Sequence, residues 1–378
     1  MDSFDPNSVD LDSADPRDVI CYLNAGGNDY NGHLGARVSS IFVVLVVSTI
    51  TTIFPVLATR IRSFRVPLYV YLFARYFGAG VIIATAFVHL MDPAYDEIGP
   101  ASCVGMTDGW AEYSWPPALA LTAAMCIFLL DFLAEYYVEN HYQLSAHVEV
   151  EAAITNAPGG DAPGAHSHPG HQDLHSADQE EACIPQQDKR SNASARKLDL
   201  EELKDIDGDS LDTAFAFHQQ FAAFLTLEFG IIFHSVIIGL NLGVVGDEFK
   251  TLYPVIVFHQ AFEGMGIGAR LSSIPFPPKY HWMPWALCLA YGLTTPISIA
   301  IGLGVRTTYD SGSYTANIVS GVLDSISAGI LLYTGFVEML ARDFLFNPSR
   351  TKDKKRLAFM LVCLYLGTII MALLGKWA

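Results

Sequence analysis

The chain has 378 residues, of which 51% are hydrophobic and 16% are charged, and its formal net charge is −17. Because soluble domains carry about 25% charged residues, this composition excludes an ordinary soluble domain and indicates a protein whose solvent is the lipid bilayer. No segment alternates apolar and polar residues with a period of two, so we expect an all-α integral membrane protein rather than a β-barrel. The acidic balance gives no reason to expect a nucleic-acid partner.

Residues 1–36 form an arm that is rich in aspartate. The arm lacks the basic start and early apolar stretch of a cleavable signal peptide, so we expect the first apolar segment to insert uncleaved. An acidic arm on the outer side of a membrane would raise the local concentration of cations. A solvated tail without this role is the equally weighted alternative.

Apolar runs of about 20 residues, long enough to cross a bilayer as a helix, recur along the rest of the chain. We predict eight transmembrane helices, at 37–60, 68–91, 117–138, 215–243, 252–272, 283–306, 315–340 and 357–377. Sixteen of the 22 lysine and arginine residues fall in the loops after the first, third, fifth and seventh spans. The positive-inside rule therefore places those loops in the cytosol and both termini outside.

The six cysteines contain no CxxC pair, which argues against a zinc site built from thiolates. Cys21 and Cys103 are the two that the topology places on the outer side. A disulfide is chemically permitted there, and two free thiols are the equally weighted alternative.

A polar segment, 139–214, separates a first block of three spans, 37–138, from a second block of five, 215–378. The segment has little apolar material with which to build a core, so we predict a disordered cytosolic loop, where regulators could dock. Within it lies a tract that suits weak binding of a transition metal, with incidental histidines in a solvated linker as the alternative. The tract contains His166, His168, His171 and His175.

Ionisable residues inside the predicted spans are numerous. On insertion scales a charged residue at the centre of a membrane helix costs about 2.5–3.5 kcal/mol. Many in one bundle therefore indicate a polar interior, which is typical of a transporter, a channel or a buried metal enzyme. These residues are Arg75, His89, Asp131, Glu135, Glu228, His234, His259, Glu263, Asp324 and Glu338.

Two of the spans carry residues of the kind that bind metal ions. His259 and Glu263 are four residues apart and share a helix face, as His234 and Asn241 do in the preceding span. Antiparallel packing of these spans brings the two imidazoles to nearly the same depth. Two imidazoles and one carboxylate suit Zn²⁺ or Fe²⁺, and a histidine that only bonds a neighbouring helix is the alternative for each taken singly.

Further polar pairs suggest a path on either side of this site. His89 and Asp92 lie near the outer end of the second span and predict entrance ligands, with simple interfacial exposure as the alternative. Asp131 and Glu135 lie four residues apart toward the cytosolic half of the third span and predict exit ligands. Glu228 shares a helix face with Ser235 and is interpreted as a pathway group, as is Asn241.

Four stretches carry a resemblance: ATAFVHLMD, LEFGIIFHSVIIGLNLG, HQAFEGMGIGAR and SAGILLYTGFVEMLARDF. With them the chain resembles the ZIP (Zrt/Irt-like) divalent metal transporters, in particular the fungal and plant zinc–iron uptake branch. The resemblance implies alternating access and a metal held between the fourth and fifth spans, with the second contributing through His89. The ligands that it implies are His234, His259 and Glu263, with Ser235 and Gln260 adjacent.

The resemblance also implies what the protein acts on and where it resides. Zn²⁺ is expected as the substrate, with Fe²⁺ or another divalent transition metal as alternatives, and no prosthetic group is expected. A plasma-membrane location is expected, with a vacuolar or endoplasmic reticulum membrane as alternatives, and a homodimer is compatible with the family.

The chain departs from relatives that bind two metal ions at this site. Such relatives carry HNxPEG in the fourth span, an acid beside the first ligand of the fifth and another acid in the sixth. Here Ile238, Gln260 and Thr295 stand at those positions. We therefore predict one transport site.

Two other classes of protein would also bury histidine and glutamate. An intramembrane zinc hydrolase needs an open coordination position for water, and a metal-sensing receptor would signal through the histidine-containing loop. Polar residues that continue toward both membrane faces favour a transport path over a closed pocket. The chain contains no nucleotide-binding motif, so ATP is not expected to drive transport.

Overall fold

A computed structural model describes residues 14–24, 30–60, 66–107, 109–142, 208–346 and 350–377. The start of the acidic arm and the four histidines of the predicted loop tract lie outside these ranges. The regular structure within them is helical. Its α-helices are α1 (Pro16–Asn24), α2 (Leu34–Arg60), α3 (Leu68–Ala84), α4 (Asp92–Ile98), α5 (Trp115–Tyr142), α6 (Gly208–Val244), α7 (Phe249–Ser273), α8 (Met283–Val305), α9 (Tyr314–Tyr333) and α10 (Lys354–Leu374).

The chain divides into two units. One comprises 1–135 and 214–378, and the other comprises 136–213. The described parts of the second unit are the last residues of α5 and the first of α6. Both helices continue past the predicted apolar runs into the predicted loop, because a helix can extend with polar residues once it has left an apolar environment.

Seven helices of the described residues are long and apolar enough to cross a membrane. They are Leu34–Arg60, Leu68–Ile98, Trp115–Tyr137, Phe217–Val244, Pro278–Val305, Tyr314–Phe346 and Lys354–Leu374. The predicted span at 252–272 forms α7, which has 25 residues but is not among the seven. Polar residues at its middle, His259, Gln260 and Glu263, lower its hydropathy. The count of eight spans stays a prediction.

Two of the long helices change from α to π geometry along their length. The π segment Thr85–Met91 joins α3 to α4, and the π segment Thr334–Phe346 continues α9. A π turn takes more residues than an α turn and so rotates the residues that follow around the helix axis. The two segments carry His89 and Glu338, both of which the sequence analysis identified as ionisable residues within spans.

The polar helix α7 packs against α2, α3 and α8. Glycines let it approach its neighbours closely, as small residues do in membrane bundles. A Cβ atom on Gly78 of α3 would lie 2.1 Å from the Cα atom of Gly266, and one on Gly268 would lie 2.1 Å from the carbonyl oxygen of Thr52 in α2. These contacts keep α7 inside the bundle.

A buried arginine links the start of α2 to the end of α6. The guanidinium of Arg37 donates hydrogen bonds to the carbonyl oxygens of Leu242 at 3.0 Å, of Gly243 at 3.2 Å and of Val245. Carbonyl groups at a helix C-terminus lack partners within the helix and carry partial negative charge. Arg37 therefore satisfies that terminus, which explains why the side chain is fully buried.

The disulfide that the sequence left open is formed, between Cys21 and Cys103. It joins α1 to the segment between α4 and α5. Disulfides persist in oxidising compartments, so the bond agrees with the predicted outer location of these two residues.

We expect Gly78→Ala to destabilise the bundle, because the added methyl group would collide with the backbone of α7. Overpacking of this kind costs about 1–3 kcal/mol. The matched change is Gly304→Ala in α8, where no atom lies within 4 Å of an added Cβ. Thermal unfolding of the purified variants in detergent measures the difference, and equal melting temperatures would contradict the packing of α3 on α7.

Candidate metal centre

Three potential ligands meet where α6 crosses α7. The Nε2 atoms of His234 and His259 lie 3.3 Å apart. The Nε2 atom of His259 also lies 3.7 Å from Oε2 of Glu263. One ligand atom from each residue falls within 4.8 Å of the other two. All three side chains are buried. The structure therefore brings together the three residues that the sequence analysis singled out, and metal binding by them remains a prediction.

The separation of the two imidazole nitrogens suits zinc. Zn–N bonds are about 2.0–2.1 Å long, so two nitrogens of a tetrahedral zinc site lie about 3.3 Å apart. The observed distance between the Nε2 atoms is 3.3 Å. A hydrogen bond between one protonated and one unprotonated nitrogen has a similar length, so the carboxylate of Glu263 beside the pair distinguishes this arrangement from a simple histidine–histidine contact.

Several buried polar atoms around these residues have no hydrogen-bond partner in the described part of the chain. Leaving a buried polar group unsatisfied costs about 1–3 kcal/mol, so such a concentration at one place indicates a site that a ligand or water completes. The atoms are Oε1 of Glu263, Nδ1 of His234, Oγ of Ser235, Nε2 of Gln260 and Oε2 of Glu228.

A buried tyrosine that the sequence analysis missed also contacts the cluster. The hydroxyl group of Tyr291, in α8, lies 3.0 Å from Oε1 of Gln260 and 3.4 Å from Oε2 of Glu263. A tyrosine buried in a bilayer needs a partner for its hydroxyl group, and this requirement is the signal by which Tyr291 could have been found.

A cavity of about 310 Å³ extends from the two imidazoles toward the end of the bundle where α2 begins and α6 ends. Asn241 and His89 both line this cavity, and the role of Asn241 as a pathway group stays a prediction. The ring centroid of His89 is 4.8 Å from that of His259, while its Nε2 atom lies 3.1 Å from the carbonyl oxygen of Met371. In this conformation His89 therefore adjoins the cluster and its Nε2 atom is engaged elsewhere.

The prediction of His89 and Asp92 as a pair of entrance ligands was wrong for Asp92, which the alternative of simple interfacial exposure describes. Asp92 is exposed and does not line the cavity, whereas Asp96, Glu97 and Asp324 do. The prediction assumed α-helical spacing, and the π segment that contains His89 rotates the following residues relative to it. Asp96 and Glu97 were missed because the predicted span ended at residue 91.

The pairing of Asp131 with Glu135 was also wrong. Asp131 accepts a hydrogen bond of 2.8 Å from the hydroxyl group of Tyr333 and lines a second cavity, of about 80 Å³, together with Glu338. Glu135 is exposed and lies outside that lining, because the surface of α5 is exposed on all sides from residue 132 to 137. The helix has left the bundle one turn before Glu135.

Ion pairs connect α7 and α3 to the π segment that follows α9. Oε2 of Glu338 lies 3.1 Å from Arg270 and 2.8 Å from Arg342. Arg75 donates two hydrogen bonds, of 3.0 and 2.8 Å, to Asp343. These pairs lie toward the end of the bundle where α2 ends, on the opposite side of the histidine cluster from the larger cavity.

The positions at which some relatives hold a second metal ion carry no carboxylate. Ile238 lines the larger cavity, Gln260 is hydrogen-bonded to Tyr291, and Thr295 is fully buried. Glu228 is buried and close enough to Glu263 for the two carboxylates to interact electrostatically. This arrangement agrees with a single transport site, which stays a prediction.

The chain is similar over nearly its whole length to one protein family and to several of its relatives. The model of the family described as ZIP Zinc transporter matches residues 34–375. The chain is 54% identical to Zinc-regulated transporter 1 of Saccharomyces cerevisiae, over 99% of this chain and 97% of that protein. It is 42% identical to Zinc-regulated transporter 1 of Schizosaccharomyces pombe, over 96% of this chain and 90% of that protein. Zinc transporter 9 of Oryza sativa is 33% identical to this chain, over 96% of this chain and 94% of that protein.

No solved structure matches this chain. The family model covers the spans that carry the histidine cluster, and the relatives match over nearly the whole sequence. The family resemblance that the four sequence stretches predict is confirmed. Membership of this family makes the protein a transporter rather than an enzyme. Zinc is therefore its substrate and not a prosthetic group. The chain belongs to the ZIP zinc transporter family.

Proposed function

We propose that this protein moves Zn²⁺ into the cytosol by alternating access through a site formed by His234, His259 and Glu263. The observation that carries the proposal is the pair of Nε2 atoms 3.3 Å apart beside a buried carboxylate. The relative from Oryza sativa is named a zinc transporter and the two yeast relatives are named zinc-regulated transporters, which supports zinc as the cargo. The plasma membrane remains the predicted location.

Charge compensation gives this site its preference for a divalent cation. Glu263 is fully buried, and its electrostatic neighbour Glu228 is buried as well. An ionised carboxylate in an apolar interior is costly unless it is paired. A bound ion with two positive charges offsets that cost, while the neutral imidazoles of His234 and His259 replace part of the ion's hydration shell.

The larger cavity supports an approach route from the outer side. Asp96 and Glu97 line its outer part, and His234 and His259 line its inner end, where Oδ1 of Asp324 lies 4.0 Å from Nδ1 of His234. Clefts lined by one sign of charge concentrate ions of the opposite sign. The cavity is continuous from these acids to the imidazole nitrogens, past polar and apolar lining residues.

Ion pairs between helices close the side of the histidine cluster that lies away from the larger cavity. This closure supports alternating access rather than an open channel. The ion pair between Arg270 and Glu338 joins α7 to the π segment after α9, and the pair between Arg75 and Asp343 joins the same segment to α3. Arginine side chains across the cytosolic route repel a divalent cation. Release to the cytosol therefore requires these helices to move apart.

The two rival classes are an intramembrane zinc hydrolase and a metal-sensing receptor. Family membership excludes the intramembrane hydrolase. A metal-sensing receptor of the same architecture would bind zinc without net flux, so uptake of radioactive zinc into proteoliposomes distinguishes it from a transporter.

We expect Glu263→Gln to lower zinc uptake by at least about tenfold, since loss of even an outer partner of a metal ligand costs 10–100-fold. Uptake of radioactive zinc is measured in cells that lack their own zinc transporters, at equal surface expression. The matched change is Glu248→Gln at the exposed start of α7, which should transport normally. Undiminished uptake by Glu263→Gln would contradict the assignment of the site.

Glu97→Gln should raise the KM for zinc by about threefold or more, because the carboxyl group of Glu97 lines the cavity and an amide is a weaker partner for a divalent cation. Asp92→Asn, only five positions earlier and exposed, should leave the KM unchanged. Both values come from initial rates of zinc uptake at low ionic strength. The reverse order of effects would show that ions approach along the other face of the helix.

Asn241→Cys should react with a membrane-impermeant thiol reagent added outside, because Asn241 lines the larger cavity. Thr226→Cys, in the second cavity, should react only from the cytosolic side, and the unmodified chain supplies the background of native thiols. Labelling of both cysteines from outside would indicate an open channel and contradict alternating access.

A further inference from the structure

We propose that Tyr291 is a positioning residue that orients the carboxylate of Glu263, and that its hydrogen bond sets how strongly the site prefers Zn²⁺ over larger divalent ions. The inference rests on the proposed function, since it assumes that Glu263 binds the transported ion. It adds a third helix, α8, to the two that supply the ligands.

The hydroxyl group of Tyr291 is placed where it can act on the ligands of α7. The side chain is 1% exposed, so its hydroxyl group is shielded from bulk solvent. Its described side-chain acceptors are Oε1 of Gln260 at 3.0 Å and Oε2 of Glu263 at 3.4 Å. Both lie on α7 within four residues of His259, one beside that ligand and the other a ligand itself.

A hydroxyl group has a single proton and donates it to one acceptor at a time. Gln260 and Glu263 therefore compete for the proton of Tyr291. The shorter distance favours Gln260 in this conformation, and an ionised Glu263 is the stronger acceptor because hydrogen bonds to charged groups are shorter and stronger. A small adjustment of α8 against α7 would transfer the donor from one to the other.

A hydrogen bond to one carboxylate oxygen restricts how that carboxylate binds a metal. The oxygen that Tyr291 contacts, Oε2, is also the one that lies 3.7 Å from Nε2 of His259. The hydrogen bond therefore fixes which oxygen lies beside the imidazoles, and Oε1 has no partner among the described residues. Coordination through one oxygen suits the four ligands of zinc. When the restraint is removed, the carboxylate can rotate and bind through both oxygens, which suits ions of higher coordination number.

Cadmium is the informative competitor. Cd²⁺ accepts the same nitrogen and oxygen ligands as Zn²⁺ but has a larger radius, so a change in the ratio of the two reports geometry rather than ligand type. A purely structural role for Tyr291 would lower the uptake of both ions together. A positioning role changes the ratio.

The test compares the KM values for Zn²⁺ and Cd²⁺ uptake in proteoliposomes. Tyr291→Phe removes the hydroxyl group and keeps the ring, and we expect the ratio of the two KM values to move roughly tenfold in favour of cadmium, as for loss of a hydrogen bond to a charged group. The control is Tyr253→Phe on α7, whose hydroxyl lies 3.3 Å from Ser39 instead. It should leave the ratio unchanged.

A second variant keeps the test decisive if Tyr291→Phe folds poorly. Gln260→Met removes the nearest acceptor and leaves Oε2 of Glu263 and the backbone carbonyl oxygen of residue 260, at 3.5 Å, so the proton of Tyr291 shifts toward Glu263 and the ratio should move toward zinc. An unchanged ratio in either folded variant would overturn the positioning role while leaving the transport site intact. Normal uptake by Glu263→Gln would instead refute the transport site itself.

Discussion

The burial of ionisable side chains in the middle of α7 is the constraint on which the rest of the structure depends. His259 and Glu263 occupy the centre of a helix that must cross or lie within a membrane, yet both are buried from lipid and from water. In an apolar solvent such groups are tolerated only with partners. The bundle meets this requirement by enclosing α7 between α2, α3 and α8 and by directing His234 of α6 at the same point.

Close packing of helices is a consequence of that enclosure. A polar helix with wide gaps around it would admit lipid or water along its whole length, and the glycine contacts of Gly78 with Gly266 and of Gly268 with Thr52 prevent this. Small residues at these crossings contribute backbone proximity rather than apolar area.

The polar interior is asymmetric along the bundle. Toward one end the histidine cluster opens into a cavity whose mouth is acidic, and toward the other end it is followed by paired arginines and carboxylates. Unpaired acids attract cations, while arginines within ion pairs hold helices together and exclude cations. The two ends therefore differ in the partners of their acids: Asp96 and Glu97 have no ion-pair partner among the described residues, whereas Glu338 and Asp343 are paired with arginines.

The sequence by itself determined the solvent of the protein, the positions of its long helices, its family and the three residues that cluster between α6 and α7. The solvent and the helices follow from composition and from the lengths of apolar runs, and the clustered residues from their types and from the four-residue spacing of His259 and Glu263. The family follows from the resemblance of four stretches of sequence. All of these are local properties. Only the tertiary structure decided that Asp92 and Glu135 face away from the interior and that Asp96, Glu97 and Tyr291 face it. Asp92, Asp96 and Glu97 follow a π segment, which rotates the face of their helix. Glu135 lies where α5 leaves the bundle. The hydroxyl group of Tyr291 has its partner on another helix.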